Sequence, residues 1–251
     1  NIDEIIDSCY GIMIARGDLA IEVPAEKVPG IQRMIIKKCI AAKKPVIVAT
    51  QMLHTMIDNP LPTRAEVSDI ANAVYYRTDA VMLSGETANG KYPLEAVQTM
   101  ASIIREAEAT LEADYNDEVP YSKEVSTTTA FLAKQAVRSV DQIHTEAIVT
   151  DSFTGRTARY LSSFRATVPV CAVCYDATLS RQLALSYGVT AHFAEGACDK
   201  ARFAAGVKHF IADGLLKEDT QVAYMSGTVG QTGAAHSLEI DTVKDLLAKN
   251  A

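Results

Sequence analysis

Short apolar runs alternate along the chain with longer stretches whose apolar residues recur every three or four positions, and polar residues collect just after the short runs. Pro45-Val46-Ile47-Val48-Ala49 is too short for a helix and rich in β-branched residues, which predicts a strand covered on both faces. Asp79-Ala80-Val81-Met82-Leu83 is a second such run, and Gly11-Ile12-Met13-Ile14-Ala15 a third. Between the first two, Thr63 and Glu66 form a capping box that opens a helix with Val67, Ile70, Ala71 and Val74 on one stripe. Ile2, Ile5 and Ile6 suit the last turns of a helix. Val28, Ile31, Met34, Ile35 and Cys39 predict a helical face, with Pro29 in its first turn. Pro93 starts another helix, carried on by Val97, Met100, Ile104, Ala107 and Leu111.

The stretch Glu112 to Val125 is acidic, contains Pro120 and lacks periodicity. It predicts a linker over 113–125 between a first domain, 1–112, and a second, 126–251. Beyond it the pattern predicts a helix over 126–140, strands at Ala147–Thr150, Val170–Cys174 and Val222–Met225, and a last strand near Ser237–Ile240. Helices fall between them, one stopping at Gly188 and another before Gly214. The expected class is α/β throughout.

Composition narrows what such a chain can do. The 251 residues suffice for one large domain or two modest ones, and 22% charged with 48% hydrophobic residues suits a globular fold. A net charge of −7 offers no basic stripe for nucleic acid. No apolar run approaches a membrane span, and the expected compartment is the cytoplasm. Cys171 and Cys174 form a C-x-x-C, but they lie inside a strand where residues three apart face opposite sides. They read as buried thiols rather than metal ligands.

Three strand ends gather polar groups: Ala15-Arg16-Gly17-Asp18, Thr50-Gln51 and Ser84-Gly85-Glu86-Thr87. Parallel strands bring such ends to one face. Asp18 is a hard oxygen ligand suited to Mg²⁺, and Gly17 lets backbone approach an anion. Thr50 offers a hydroxyl for a substrate oxygen or a proton. Arg16 is either a fork for a carboxylate or phosphate, or a salt bridge inside the domain. Ser84 to Thr87 reads as a turn with supporting hydrogen bonds.

The segments GIMIARGDLAIEVPAEKVP, KPVIVATQML and NPLPTRAEVSDIANAVYYRTDAVMLSGETANGKYP resemble the pyruvate kinase family, TRAEVSD and MLSGETA being the most specific parts. The resemblance is dense over Asn1–Leu111 and looser beyond. It implies a partial (β/α)₈ TIM barrel, its sixth, seventh and eighth strands, followed by an open three-layer α/β domain. It implies phosphoryl transfer from phosphoenolpyruvate to ADP, giving pyruvate and ATP in glycolysis. Asp18 then matches the metal carboxylate for Mg²⁺ or Mn²⁺. Gly17, Asp18 and Thr50, with Arg16 beside them, match the substrate-carboxylate site, and Thr50 matches the hydroxyl of the proton-transfer step. Arg64 matches a residue near a subunit contact of a homotetramer. K⁺ contacts and most nucleotide contacts belong to parts of the family fold that these residues do not include.

The family's Lys-Ile-Glu-Asn strand end, with its phosphoryl-neutralising Lys and second metal carboxylate, is not in this sequence. The residues are therefore expected to be a fragment, inactive alone, whose three-stranded piece leaves an unpaired edge. Ala20 stands where the family usually has Gly, and Tyr10 where it has Asp.

In the second domain, Ser152, Thr154, Gly155, Arg156 and Thr157 sit at a predicted helix N-terminus, a ready anion site. A later Gly-rich turn supplies Gly227, Gly230, Thr232 and Gly233. Both resemble the loops that bind a phosphorylated allosteric effector in the family. Phe153 stands where some fructose-bisphosphate-activated members have Lys, which points to a monophosphate or to a vestigial site. The alternative function is a phosphate-ligand-binding regulatory module without catalysis, and an ordinary βα turn is the plainer reading of the loop.

Overall fold

The computed structural model describes residues 1–111, 127–227 and 235–250. The chain divides into two compact units, Asn1–Asp114 and Tyr115–Ala251. The expected linker, 113–125, lies outside the described residues.

The first unit runs α1 (Ile2–Ser8), β1 (Ile12–Ala15), α2 (Arg16–Glu22), α3 (Val28–Ala41), β2 (Val46–Ala49), α4 (Arg64–Tyr75), β3 (Ala80–Met82), α5 (Gly85–Ala88) and α6 (Pro93–Ala109). Its three strands form one parallel sheet in the order β1-β2-β3. The register pairs Ala15 with Ala49 and Ala49 with Met82, so the three chain segments leave the sheet side by side. Val46, Val48 and Ala49 are fully buried, as two-sided cover requires. Met13 on β1 is 51% exposed, however, so this strand is not covered on both faces.

The capping box forms as the sequence predicts. Thr63 accepts the Glu66 N–H, and the Glu66 carboxylate accepts the Thr63 N–H at 2.7 Å. Pro29 and Pro93 lie in the first turns of α3 and α6. The buried stripes are rotated from those the apolar spacing predicts. In α3 the inner face is Gln32, Ile35, Ile36, Cys39 and Ile40, while Met34 is exposed. Val67 and Val97 are also exposed, and α4 meets α6 through Ile70, Ala73 and Val74 against Ala96, Met100 and Ala107. Small alanines let the two helices approach, so the apolar side chains beside them turn outward.

The second unit runs α7 (Thr127–Ile143), β4 (Ala147–Ser152), α8 (Arg156–Ser163), β5 (Val170–Cys174), α9 (Ala177–Leu183), β6 (Val189–Phe193), α10 (Lys200–Ala212), β7 (Gln221–Ser226), β8 (Ser237–Thr242) and α11 (Val243–Lys249). The sheet order is β6-β5-β4-β7-β8, parallel except for β8. One face carries Val149, Cys171, Val173 and Tyr224 against Phe203, Val207 and Phe210 of α10 and Leu246 of α11. On the other lie α7 and α8, giving three layers. The chain builds outward from β4 in one direction and then returns to its other side with β7. The carboxyl ends of β4 and β7 therefore flank a topological switch point.

Candidate functional sites

At the first sheet's carboxyl edge, the polar residues after β1 do not extend the strand. They form the first turn of α2, where N–H groups have no carbonyl partner within the helix. The Gly17 N–H donates to Thr50 Oγ1 at 2.9 Å, which ties the ends of β1 and β2 together. A methyl group on Gly17 would meet only Thr50, at 3.7 Å from Oγ1, so the protein leaves open space beside this backbone. Asp18 is exposed and has no hydrogen bond or ion pair among the described residues. A groove of about 680 Å³ runs past it, lined by Ile12, Met13, Leu19 and Ile21.

Thr50 and Gln51 both sit in the left-handed region, at φ 67° and 54°. For a β-branched residue that is a strained backbone, worth on the order of 1–3 kcal/mol. Charged side chains hold this turn and the loop that follows it. Arg16 Nε donates to the carbonyls of Ala49 (3.3 Å) and Thr50 (3.2 Å), and Nη2 donates to the Thr50 carbonyl at 2.5 Å. Arg16 Nη1 pairs with Asp69 of α4. Glu66 accepts the Thr55 N–H at 2.7 Å, and buried Glu86 accepts the N–H groups of Leu53 (3.2 Å) and Ser84 (2.8 Å). Burial alone would raise the Glu66 carboxyl, but the Thr55 and Thr63 backbone donors outweigh it and hold it below the usual range. Ser84 to Thr87 is thus a helical turn whose acid supports the neighbouring loop.

Arg16 is turned inward. Its side chain is 11% exposed and its guanidinium serves β2 and α4, which is the salt-bridge reading of the two the sequence leaves open. The sequence pattern does not single out Asp69; its only signal is its place beside the buried Ile70. Arg64, the first residue of α4, is exposed with no partner among the described residues.

A divalent cation fits Asp18 in a limited sense. The free carboxylate is a suitable hard ligand, but no group of three metal-binding side chains assembles among the described residues. Mg²⁺ commonly binds through one or two carboxylates together with substrate oxygens and water, so this donor set matches a shared site.

In the second unit, Gly155 caps α8 at φ +75°, and a methyl group there would lie 2.6 Å from Leu179 Cδ1. The left-handed backbone favours glycine here, and any side chain would also have to push aside the tips of Leu179 and Arg159. Arg159 fastens the loop by donating to the Thr154 carbonyl at 2.9 Å. Thr154 and Arg156 are exposed, Thr157 is half-buried, and Arg156 has no partner among the described residues. Ser152 Oγ is buried without a hydrogen-bond partner among the described residues. Gly227 follows β7, whose Met225 pairs with Thr150 of β4, so it stands next to this loop. Gly230, Thr232 and Gly233 lie outside the described residues.

Beneath the loop, Asp151 points to the same face as Val149, beside Tyr175 and Tyr224. Burial pushes its carboxyl up to about 6, and Oδ1 has no hydrogen-bond partner among the described residues. Burial also raises both tyrosines and drives the Cys171 and Cys174 thiols up to about 12. These thiols are inert at neutral pH. No helix among the described residues is long and apolar enough to cross a membrane.

Comparison with known proteins finds matches in both units. Residues 1–97 match the family model for the pyruvate kinase barrel domain, and residues 131–240 match that for the pyruvate kinase alpha/beta domain. A pyruvate kinase of Borreliella burgdorferi is 43% identical over 98% of this chain and 52% of its own length. One of Geobacillus stearothermophilus is 43% identical over 99% of this chain and 43% of its own length. A crystal structure of a pyruvate kinase from Cryptosporidium parvum superposes with a TM-score of 0.88 at 33% identity, over 97% of this chain and 49% of that one. The chain spans about half the length of the curated relatives it matches.

Proposed function

The chain belongs to the pyruvate kinase family, and on that premise we propose that it supplies part of the site that moves a phosphoryl group from phosphoenolpyruvate to ADP. The observation that carries this reading is the alignment of Asp18, Gly17 and Thr50 on adjacent strand ends, with a free carboxylate and open space beside Gly17.

Each residue has a definite task in this reading. Asp18 holds Mg²⁺ or Mn²⁺, which when bound neutralises charge on the substrate's phosphoryl and carboxylate oxygens. The first turn of α2 presents its N–H groups to the substrate carboxylate. The Thr50 hydroxyl accepts the Gly17 N–H and still has its own hydrogen to donate, to a substrate oxygen or to the enolpyruvate carbon. Arg16 positions Thr50 rather than touching substrate. Arg64 lies at a subunit contact of a cytoplasmic homotetramer, and K⁺ is met by other parts of the family fold.

Among the described residues, Asp18 is the carboxylate at these strand ends open to a metal, and Arg16 beside Thr50 is already engaged by Asp69. Nothing on the described strand ends neutralises the phosphoryl group, so the polypeptide alone is inactive in this reading. The test joins the barrel residues that precede the matching segment of the Borreliella relative to Asn1 and measures pyruvate formation by coupled reduction to lactate. The joined protein turns over with Mg²⁺, Asp18→Asn loses at least 100-fold, and the 251-residue polypeptide shows no activity. A folded joined protein without turnover, or turnover by the polypeptide alone, overturns the proposal.

The second unit binds a phosphorylated effector at the turn from Ser152 to Thr157, with Gly227 beside it. Arg156, exposed at a helix N-terminus with no partner among the described residues, favours this reading over an ordinary turn.

A further inference from the structure

The left-handed turn at Thr50–Gln51 requires an explanation, because neither residue is glycine and the first carries the hydroxyl assigned to the reaction. Its geometry is fixed at two points. The hydroxyl is set by the Gly17 N–H, and the carbonyl is set by Arg16. Arg16 has little freedom left. Nε is shared between Ala49 and Thr50, Nη2 serves Thr50 and lies 2.9 Å from Met52 Sδ, and Nη1 is taken by Asp69. Asp69 does not reach Thr50. It lies on α4, 53 residues from Arg16 in sequence, with its side chain 36% exposed, and its carboxylate fixes the plane of the fork.

We propose that Asp69 is a positioning residue which, through the Arg16 guanidinium, holds the Thr50–Gln51 turn left-handed and so aims the Thr50 hydroxyl at the substrate. The inference rests on the functional reading above. It assigns Asp69 an effect on the chemical step rather than on substrate affinity. Without its carboxylate the guanidinium swings, the Thr50 carbonyl loses its anchor, and the backbone relaxes toward ordinary φ. The hydroxyl then leaves its line, while Asp18 and the first turn of α2 still hold substrate. A displacement of about 1 Å at a reacting group can cost around 100-fold in rate.

The test uses the joined protein, with its wild-type turnover as the control on the functional reading itself. If that control is inactive, the reading fails and not this inference alone. With an active control, Asp69→Ala and Arg16→Lys lower kcat 30- to 100-fold, leave KM for phosphoenolpyruvate within threefold, and slow exchange of pyruvate methyl protons with deuterated solvent by a similar factor. Asp69→Asn keeps an acceptor for the guanidinium and recovers to within tenfold of wild type. This near-isosteric change also provides a reading if the alanine variant fails to fold. A kcat within threefold of wild type for Asp69→Ala, or a rise in KM at unchanged kcat, overturns the inference, as does an Asn variant no better than a folded Ala variant.

Discussion

At the scale of single residues, the informative side chains are polar groups whose surroundings are set by other elements. Asp151 is the sharpest case. In the unfolded chain its carboxyl titrates near 3.8, whereas burial beneath the β4 end raises it to about 6. Between those values the folded state holds the proton more tightly, so its stabilising effect is complete below pH 3.8 and is lost as pH rises through 6. A rise of that size corresponds to about 3 kcal/mol at pH 7 and above. Asp151→Asn is therefore expected to melt higher than wild type at pH 8, and the difference between the two proteins should shrink at pH 5. Thermal melts at both pH values check this, and an equal difference at the two would count against it. The residue types at the site are legible in the sequence because Gly17, Asp18 and Thr50 follow short apolar runs directly. Arg16's partner is not legible, since the Asp69 contact spans 53 residues and depends on how α4 packs. Apolar spacing misplaces Met34, Val67 and Val97 for a related reason. It says that a helix has an inner face, but the size of the facing side chains decides where that face is centred.

At the scale of elements, helix starts are easier to read than helix ends. Thr63 with Glu66, Pro29 and Pro93 all announce starts by local chemistry. The ends mostly lack the usual glycine. Lys43, Arg77, His144 and Arg165 are the left-handed residues just past α3, α4, α7 and α8, at φ between 56° and 60°. A basic side chain there faces the negative end of the helix dipole, which offsets part of the backbone strain. A glycine search therefore finds the stop at Gly214, passes over these four, and misplaces the end of α9, which stops at Leu183 with Ala184 as its cap rather than at Gly188. The polar strand end at Arg16 is obscure for the opposite reason. Arg16–Glu22 is a short helix whose Gly17 and Asp18 lack helical propensity, and the unpaired N–H groups of its first turn gain Thr50 as a partner. His144 gives a clean measurement of the left-handed strain itself, because it is exposed and has no side-chain partner among the described residues. His144→Gly relieves the left-handed strain at the cost of a more flexible unfolded chain, and the net gain should be about 1 kcal/mol. A higher urea midpoint at unchanged slope would show it; a lower one would mean that the imidazole contributes more than the strain costs.

At the scale of the molecule, the alternation of strands and helices is enough to anticipate two α/β units, because covered parallel strands and amphipathic helices carry different periods. The sheet order is not, since nothing local states that β7 returns to the far side of β4 or that β8 runs antiparallel. That order bears on the proposed effector site. It places the loop after β4 and Gly227 after β7 on either side of the switch point, where the start of α8 contributes unpaired N–H groups and Arg156 contributes a charge with no partner among the described residues. Among the described residues, one exposed arginine and one helix start stand here, which suits a single phosphate better than two. Phe153, half-exposed on the same loop, adds apolar surface and no second cation. Isothermal titration of the 251-residue polypeptide is therefore expected to give heat with a sugar monophosphate or AMP, and fructose 1,6-bisphosphate should bind no more than about threefold tighter. Arg156→Ala should weaken the monophosphate at least tenfold, the scale of one charge-assisted contact. Raising salt should weaken the wild type more than the variant, because the variant has less charge to screen. Heat that persists unchanged in Arg156→Ala would move the phosphate elsewhere, and no heat with any of the three ligands would reduce the loop to an ordinary turn between β4 and α8.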